Sequence, residues 1–321
     1  MNGPVIDVHA HHHPTAFVEA LRPVLGGGWR AGWAGGIDSD AAGSVDLRIE
    51  QMDEAGVARQ VLSPMAGLAP YSADTAVATR AARLVNDAYA ELVRARPSRF
   101  AAFASLPLPH IEASLAELAR CHDELGMVGV NLHISALDRS VADDEFTPIY
   151  EEVNRRRGVV FFHPCGNSAC SPMIADHGFG AAVGTSIEDA VIALHLIAKR
   201  IPARFPDITF VIPHFGGPIP MLLPRLDNQY PWAARDLPEP PSVTARRFYY
   251  DTVGHGSKAA LWCAYEAFGA DHLVVGSDFP VLNRYESYST TINWVREQGL
   301  PEAAVTQIME RTAAQILGLA R

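Results

Sequence analysis

The chain has 321 residues, of which 48% are hydrophobic and 19% are charged, so it can bury a large core and is not globally disordered. Its formal net charge of −10 and pI near 5.7 argue against phosphate-rich partners, because affinity for nucleic acid and for anionic membranes depends on clustered Lys and Arg. We therefore expect neither nucleic acid nor a membrane as a partner.

Short runs rich in β-branched and aromatic residues alternate along the chain with longer stretches of helical period, which is typical of βα units around a parallel sheet. In chain order, the predicted strands are Val5–His9, Arg59–Pro64, Phe100–Leu106, Gly129–His133, Val159–His163, Thr209–His214, Phe248–Val253 and Leu273–Asp278. The predicted helices are Ala76–Arg96, Ile111–Leu125, Pro148–Arg157, Ile187–Phe205, Lys258–Phe268 and Ala303–Leu319. Eight strands with helical crossovers favour a closed (β/α)8 TIM barrel of the α/β class over an open doubly wound sheet. Because such barrels exceed ~250 residues when loops are inserted, residues 1–321 are predicted to form a single domain.

Two segments interrupt the alternation of strands and helices. Leu25–Ser44 is rich in glycine and follows the first strand, and Gly166–Thr185 follows the fifth. We predict both to be loop insertions on the side of the barrel where the carboxyl ends of the strands meet, since such loops build active sites. A tolerated surface insertion is the alternative for each.

Histidine and aspartate residues stand at the carboxyl ends of four predicted strands. His9 and His11 lie two residues apart, so their imidazoles point to the same face of the first strand and can chelate one ion. His163, His214 and Asp278 end the fifth, sixth and eighth strands, and in a closed barrel all five side chains surround one mouth. Three neutral imidazoles and a carboxylate suit zinc, with manganese or iron as alternatives.

Three further polar residues accompany the first strand. Asp7 shares the predicted face of His9, so it is expected either to orient a ligand imidazole or to be a buried structural group. His12 and His13 follow the strand and are predicted to lie in a loop near the rim of the barrel.

The ordered set of motifs resembles a known family. HAH on the first strand, HP on the fifth, PHFGG on the sixth and GSDFP on the eighth are similar to motifs of the amidohydrolase superfamily, and within it to the branch of the aminocarboxymuconate-semialdehyde and γ-resorcylate decarboxylases. The resemblance covers nearly the whole chain. It implies that His214 is the acid/base that activates water or moves a proton. It also implies a metal site made of His9, His11, His163 and Asp278.

The fourth strand and the residues after the fifth refine what the resemblance implies. The fourth strand reads GVNLHIS and lacks the lysine that superfamily members with two metals carry in carboxylated form, so one divalent ion is implied, with zinc expected and manganese as the alternative. His133 on that strand has no ligand role in the family and is predicted to be a core or rim residue. Cys165, Gly166 and Asn167 follow the fifth-strand HP where the resembled decarboxylase has tryptophan, so the identity of its substrate is not carried over.

Two arginines match substrate-binding positions of the resembled decarboxylases. Arg48, in the segment LRIEQMDEAGV, matches an arginine that binds a substrate carboxylate, a task that suits a planar guanidinium. An exposed arginine at a helix start is the alternative. Arg225, downstream of His214, matches an arginine that reaches the active site of the neighbouring subunit, which implies a homodimer. A structural salt bridge at a subunit interface is its alternative.

The resemblance favours a non-oxidative decarboxylase of a small unsaturated or aromatic hydroxycarboxylic acid, with His214 or Asp278 as the source of a proton. The main alternative is a hydrolase that opens an amide or lactone with metal-bound hydroxide, because it uses nearly the same ligands. A hydratase is a further enzymatic alternative. A catalytically silent barrel is the alternative from another class, and metal content would separate it from the enzymes.

The cysteine content and the N-terminal residues indicate where in the cell the protein is expected to act. Four cysteines without CxxC spacing are too few for a disulfide framework, so we expect reduced thiols. An apolar stretch follows Met1 almost at once and leaves no room for a signal peptide, and we recognise no apolar run of transmembrane length. These observations predict a cytoplasmic protein.

Overall fold

Eight parallel strands form the centre of the structure, a computed structural model that describes residues 3–25, 39–166 and 172–319. Each strand is hydrogen-bonded to the next strand along the chain. The strands are β1 (Val5–His11), β2 (Val57–Ser63), β3 (Phe100–Ser105), β4 (Gly129–His133), β5 (Val159–His163), β6 (Thr209–Ile212), β7 (Tyr249–Asp251) and β8 (Leu273–Val274). A short hairpin of Ser135–Ala136 and Arg139–Ser140 follows β4.

Backbone hydrogen bonds also join the first strand to the segment that continues β8. The amide of Val8 donates to the carbonyl of Val275 at 2.9 Å, and the amide of His11 donates to the carbonyl of Phe279 at 2.7 Å. The sheet therefore closes on itself, and the predicted (β/α)8 TIM barrel is confirmed.

Helices connect the strands and surround the barrel. They are α1 (Thr15–Leu21), α2 (Ser44–Ala55), α3 (Thr75–Ala95), α4 (Ile111–Asp123), α5 (Thr147–Arg155), α6 (Pro172–Ala175), α7 (Thr185–Ala198), α8 (Ile201–Arg204), α9 (Ile219–Ala233), α10 (Pro241–Ala245), α11 (Lys258–Phe268), α12 (Tyr288–Asn293), α13 (Glu302–Thr306) and α14 (Thr312–Leu317).

Several helix predictions need correction. The predicted helix Ile187–Phe205 is divided into α7 and α8, because Arg200 between them has a left-handed backbone with φ of 57°. Helix α9 was missed, since Pro224 and Pro231 lie inside it and proline normally argues against a helix interior. Helices α1 and α2, which frame the first predicted insertion, were missed as well.

The two predicted insertions lie partly outside the described residues, which exclude 26–38 and 167–171. Helix α1 separates β1 from the first of them, so this insertion does not follow the strand directly. In the second, α6 and a helical turn at Gly180–Gly184 precede α7, so its described part is largely helical and not an irregular loop.

One helical segment, Gly180–Ala198, is long and apolar enough to span a membrane by length and composition alone. The prediction that no run of this length occurs is therefore wrong. In the structure, Ile192 and Leu196 of this segment are buried in the core, and its buried Glu188 and Asp189 make hydrogen bonds. The side of the segment that carries Ile192 and Leu196 thus packs as the buried face of a core helix does.

Two hydrophobic clusters divide the core at the sheet. The larger cluster packs the outer side of the strands against the helices, and it includes Ala10, Leu62 and Phe162. The smaller cluster fills the barrel interior and includes Val8, Val61, Ala101, Phe103, Val159, Phe161 and Val211. The interior is thus filled by side chains below the mouth, as is usual in TIM barrels.

Candidate metal centre and active site

A register shift in β1 decides which of its polar residues face the barrel interior. The shift lies between Asp7 and Ala10 and interrupts the alternation of side chains. Val8 belongs to the interior cluster, and the His9 ring also packs inside, with its centroid 5.0 Å from that of Phe161. Asp7 instead accepts hydrogen bonds from the hydroxyls of Ser277 and Tyr288. The prediction that Asp7 shares the face of His9 is therefore wrong, and Asp7 is a buried structural group.

Four side chains converge at the carboxyl ends of β1, β5 and β8. One nitrogen or oxygen from each lies within 4.8 Å of the corresponding atoms of the others. The two Nε2 atoms of His9 and His163 are 3.1 Å apart. Oδ1 of Asp278 lies 2.8 Å from Nε2 of His11 and 3.4 Å from Nε2 of His9. These are the four residues that the sequence analysis predicted as metal ligands: His9, His11, His163 and Asp278.

The Nδ1 atom of each imidazole in this cluster is held by an oxygen outside the cluster. Asp251 Oδ2 lies 2.7 Å from Nδ1 of His9. The carbonyl oxygen of Ser63 lies 3.2 Å from Nδ1 of His11, and that of Pro164 lies 2.9 Å from Nδ1 of His163. Since carbonyl and carboxylate oxygens accept, each Nδ1 carries the hydrogen and each Nε2 presents a lone pair to the centre.

The protonation states agree with this arrangement. Burial lowers the pKa of His11 to about 4 and the pKa of His163 well below its ordinary value. Burial raises the pKa of Asp278, but the close contact with Nε2 of His11 and the nearby histidines outweigh it and lower that pKa to about 2. At neutral pH several lone pairs and one negative charge thus converge, an arrangement that a bound cation stabilises. The donor set fits a divalent metal ion.

Backbone strain marks two residues of the site. His214 and Asp278 have left-handed backbones with φ of 49° and 55°, a conformation that costs energy in a residue with a side chain. Both were predicted to end strands, but β6 ends at Ile212 and β8 at Val274. Because a left-handed residue cannot continue a strand, the two side chains stand on the turns that follow.

His214 lies beside the cluster, with its ring centroid 5.4 Å from that of His9. Its Nδ1 is 2.8 Å from Oδ2 of Asp189, and its backbone amide donates to Oδ1 of Asp251 at 2.8 Å. Burial alone lowers the pKa of His214, but the charge and hydrogen bond of Asp189 outweigh it and raise that pKa to about 9. The imidazole is therefore held protonated at neutral pH, which suits an acid better than a base.

Three carboxylates that support the site were missed in the sequence. Asp251 ends β7, so the strand-end pattern that identified the ligands could have found it. Glu188 and Asp189 lie inside helix α7, where no motif marks them. Glu188 accepts from the amides of Cys165 and Gly166 at 2.6 and 2.9 Å, and thereby fixes the start of the loop after β5.

Arg48, Arg225 and His133 are not members of the ligand cluster. Arg48 is fully buried, so the alternative of an exposed arginine is wrong. Its guanidinium donates to the carbonyl of His11 at 2.6 Å and to the Gln60 side chain at 3.1 Å. Arg225 is exposed on α9. His133 is buried, with Nε2 3.1 Å from the carbonyl oxygen of Met65, as expected of a core histidine.

His12 and His13 follow β1, as predicted, but both are buried. Nε2 of His13 accepts a hydrogen bond from the amide of Met65 at 3.2 Å. The His12 carbonyl accepts from the Tyr89 hydroxyl at 2.6 Å. Both residues thus join the end of β1 to neighbouring elements.

Comparison with known proteins shows the family. A family model described as amidohydrolase matches residues 6–319. The chain belongs to this amidohydrolase family. The chain is 28% identical to γ-resorcylate decarboxylase of Polaromonas sp. over 80% of this chain and 82% of that protein. It is also 28% identical to 6-methylsalicylic acid decarboxylase of Penicillium expansum, over 97% of this chain and 95% of that protein.

A solved structure is similar over the full length. Dihydroxybenzoic acid decarboxylase of Polaromonas sp. JS666, crystallised with manganese and the inhibitor 2-nitroresorcinol, is 26% identical to the amidohydrolase, with a TM-score of 0.84 over 100% of this chain and 98% of that one. The manganese in that structure and the ligand cluster of this amidohydrolase together support a divalent metal site.

Proposed function

We propose that this member of the amidohydrolase family is a metal-dependent carboxy-lyase that removes CO₂, without oxidation, from a small aromatic hydroxycarboxylic acid. The observation that carries the proposal is the contact of 2.8 Å between Nδ1 of His214 and Oδ2 of Asp189, beside four converging metal-ligand atoms. The decarboxylase relatives, which match up to 97% of the chain, support this reaction over hydrolysis of an amide or lactone.

His9, His11, His163 and Asp278 would hold the ion. Three imidazoles and a carboxylate suit zinc, and the manganese of the similar decarboxylase makes manganese the alternative. Such an ion supplies Lewis acidity, which stabilises negative charge on an oxygen of the substrate. Asp251 orients His9 for this task through the hydrogen bond to Nδ1.

His214 would supply the proton that the reaction requires. The proton goes to the ring carbon that bears the carboxylate, the bond between that carbon and the carboxylate then breaks, and its electron pair stays on the ring as CO₂ leaves. The raised pKa of His214 favours it as the donor. The low pKa of Asp278 keeps this carboxylate ionised and favours a ligand role for it.

Further parts of the proposal concern binding and assembly. Arg48 would contribute to recognition of the substrate carboxylate, as its match to the family's arginine implies. Because Arg48 donates a hydrogen bond to the His11 carbonyl, it would also hold the end of the strand that carries two of the metal ligands. Exposed Arg225 would reach the active site of a partner subunit in a homodimer. The protein would act in the cytoplasm, in keeping with the thiols of Cys121 and Cys263, which form no disulfide among the described residues.

A substrate panel tests the reaction. Metal-loaded protein is mixed with hydroxybenzoates, and the release of CO₂ is measured beside that of a His214→Asn variant. We expect CO₂ from at least one hydroxybenzoate and a rate lower by ~10²–10⁴-fold in the variant. Absence of CO₂ from every hydroxybenzoate, together with hydrolysis of an amide or lactone in a parallel panel, would overturn the proposal.

A further inference from the structure

Two buried serines end neighbouring strands at the mouth of the barrel. Ser63 is the last residue of β2 and Ser105 is the last residue of β3. Both are at most 1% exposed, and within the described parts of the chain neither hydroxyl has a hydrogen-bond partner. A buried polar group without a protein partner is costly, and such groups commonly hold water or a ligand.

The hydroxyl of Ser63 points into the barrel. Ser63 pairs with His11 in the parallel register of β1 and β2, and residues paired across neighbouring strands point to the same face. Val61, two residues earlier on β2, belongs to the interior cluster, which gives the same direction. The Ser63 carbonyl also holds Nδ1 of His11, so this serine lies beside a metal-ligand histidine.

Ser105 lies in the layer of side chains that contains His163. Phe103 and Phe161 stack in the barrel interior with ring centroids 5.3 Å apart. Ser105 and His163 each follow one of these rings by two residues, so both occupy the next layer toward the mouth. Alternate strands supply each layer of a TIM barrel, and β1, β3 and β5 are alternate strands.

The backbone groups of Ser63 and Ser105, and not their hydroxyls, make the contacts that fix the ends of β2 and β3. The amide of Ser105 donates to the Asn86 side chain at 2.8 Å, and the Ser105 carbonyl accepts from that side chain at 2.9 Å. The anchor of His11 is the backbone carbonyl of Ser63. Alanine at either position therefore keeps the strand end and the orientation of the metal ligand.

We propose that Ser63 and Ser105 form a polar subsite that hydrogen-bonds a second hydroxyl of the aromatic ring, in addition to the hydroxyl next to the carboxylate. A serine hydroxyl both donates and accepts, so it is complementary to a phenolic hydroxyl. In the eight-stranded barrel, β2 lies across the interior from β6, after which His214 stands. The subsite therefore binds the part of the ring that lies away from the proton donor. This inference rests on the proposed function, and it assigns to Ser63 and Ser105 the selection of rings that carry a second hydroxyl.

Nitro compounds test the subsite without turnover, because a nitro group in place of the carboxylate cannot leave as CO₂. The probes are 2-nitrophenol, 2-nitroresorcinol, 4-nitroresorcinol and nitrohydroquinone, and their Kd values for metal-loaded protein are measured by calorimetry. The variants are Ser63→Ala, Ser105→Ala and the double variant. The matched control is Ser114→Ala, since Ser114 is equally buried and also has no hydroxyl partner among the described residues, but lies on helix α4 outside the sheet.

We expect at least one dihydroxylated probe to bind wild-type protein more tightly than 2-nitrophenol. This ratio of Kd values should fall about 3- to 10-fold in the double variant and stay unchanged in Ser114→Ala, as the loss of one or two neutral hydrogen bonds predicts. Differences in acidity between the probes cancel, because the same probes are compared in every variant.

Three results would overturn the subsite: no preference for a second hydroxyl in wild-type protein, an equal preference in the double variant, or no binding of any nitro probe. If CO₂ release fails while the serine-dependent preference remains, the proposed function is wrong and the subsite stands. If CO₂ is released and the preference does not depend on the serines, only the subsite is wrong.

Discussion

Asp189 and His214 form an ion pair in which Oδ2 of the carboxylate lies 2.8 Å from Nδ1 of the imidazole. Asp189 is fully buried, and burial raises its pKa to about 6, while the pKa of His214 is raised to about 9. Between these values the carboxylate is ionised and the imidazole is protonated. The pair therefore holds a proton beside the metal cluster over the neutral pH range.

Replacement of Asp189 by asparagine should move the alkaline limb of the kcat profile to lower pH. Without the carboxylate, the pKa of His214 falls from about 9 toward its ordinary value of 6.5, so the acid form is lost earlier as pH rises. We expect kcat at pH 8 to fall ~10- to 100-fold while the metal content is retained. Glu188→Gln is the matched control and should leave the alkaline limb in place. This adjacent carboxylate is also buried, but it contacts the loop after β5 and not His214. An unchanged alkaline limb in Asp189→Asn would show that Asp189 does not set the protonation of His214.

Asp251→Asn should weaken metal binding by ~10- to 100-fold, since the carboxylate that orients His9 is lost. The affinity is measured by competition with a chelator of known strength. Asp7→Asn is the control, because Asp7 is equally buried but accepts from the backbone amide of His9 and from the hydroxyls of Ser277 and Tyr288, and does not hold the His9 ring. It should lower the unfolding temperature more than the metal affinity. Equal metal affinity in Asp251→Asn and wild type would contradict the orienting role of Asp251.

Arg48→Met should separate substrate binding from support of the metal-binding strand. It removes the hydrogen bonds to the His11 carbonyl and to Gln60, and each buried partner left unpaired costs ~1–3 kcal/mol. We expect a lower unfolding temperature and a weaker metal affinity, both measured on the same preparation. A raised KM with unchanged stability and metal affinity would instead assign Arg48 to the substrate alone.

Arg225 should act on the active site of a partner subunit. Mixing inactive Arg225→Ala with inactive Asp278→Ala should restore part of the activity, because one of the two sites in a hybrid dimer receives both intact residues. Mixing Asp278→Ala with His11→Ala is the control and should stay inactive. Both residues belong to the metal cluster, so each site of such a hybrid dimer lacks one ligand. If verified hybrids with Arg225→Ala stay inactive, Arg225 does not act across the interface.

The barrel and its metal cluster could be predicted because both follow from local patterns. Strand periodicity located the eight strands, and the shared position at strand ends brought His163 and Asp278 together with the histidines of β1. Asp251 obeys the same rule and could have been included. The register shift in β1 carries no sequence signal, so the side of the sheet that Asp7 faces could not be predicted.

The supporting residues depend on contacts distant in sequence. Asp189 meets His214 only because α7 packs beside the turn that follows β6, and no spacing within α7 indicates that contact. The burial of Arg48 likewise follows from the packing of α2 against the end of β1. Such contacts form only when elements distant in sequence pack together in the closed barrel, so a local sequence pattern cannot predict them.

The most direct measurement follows a hydroxybenzoate in deuterated water with metal-free and metal-reconstituted protein. Proton transfer from His214 to the ring predicts that the reconstituted protein releases one CO₂ for each product molecule and places deuterium on the carbon that carried the carboxylate. The metal-free protein should release none until about one equivalent of zinc or manganese is added per chain. Equal CO₂ release without metal, or a product whose ring carbon carries no deuterium, would contradict the account.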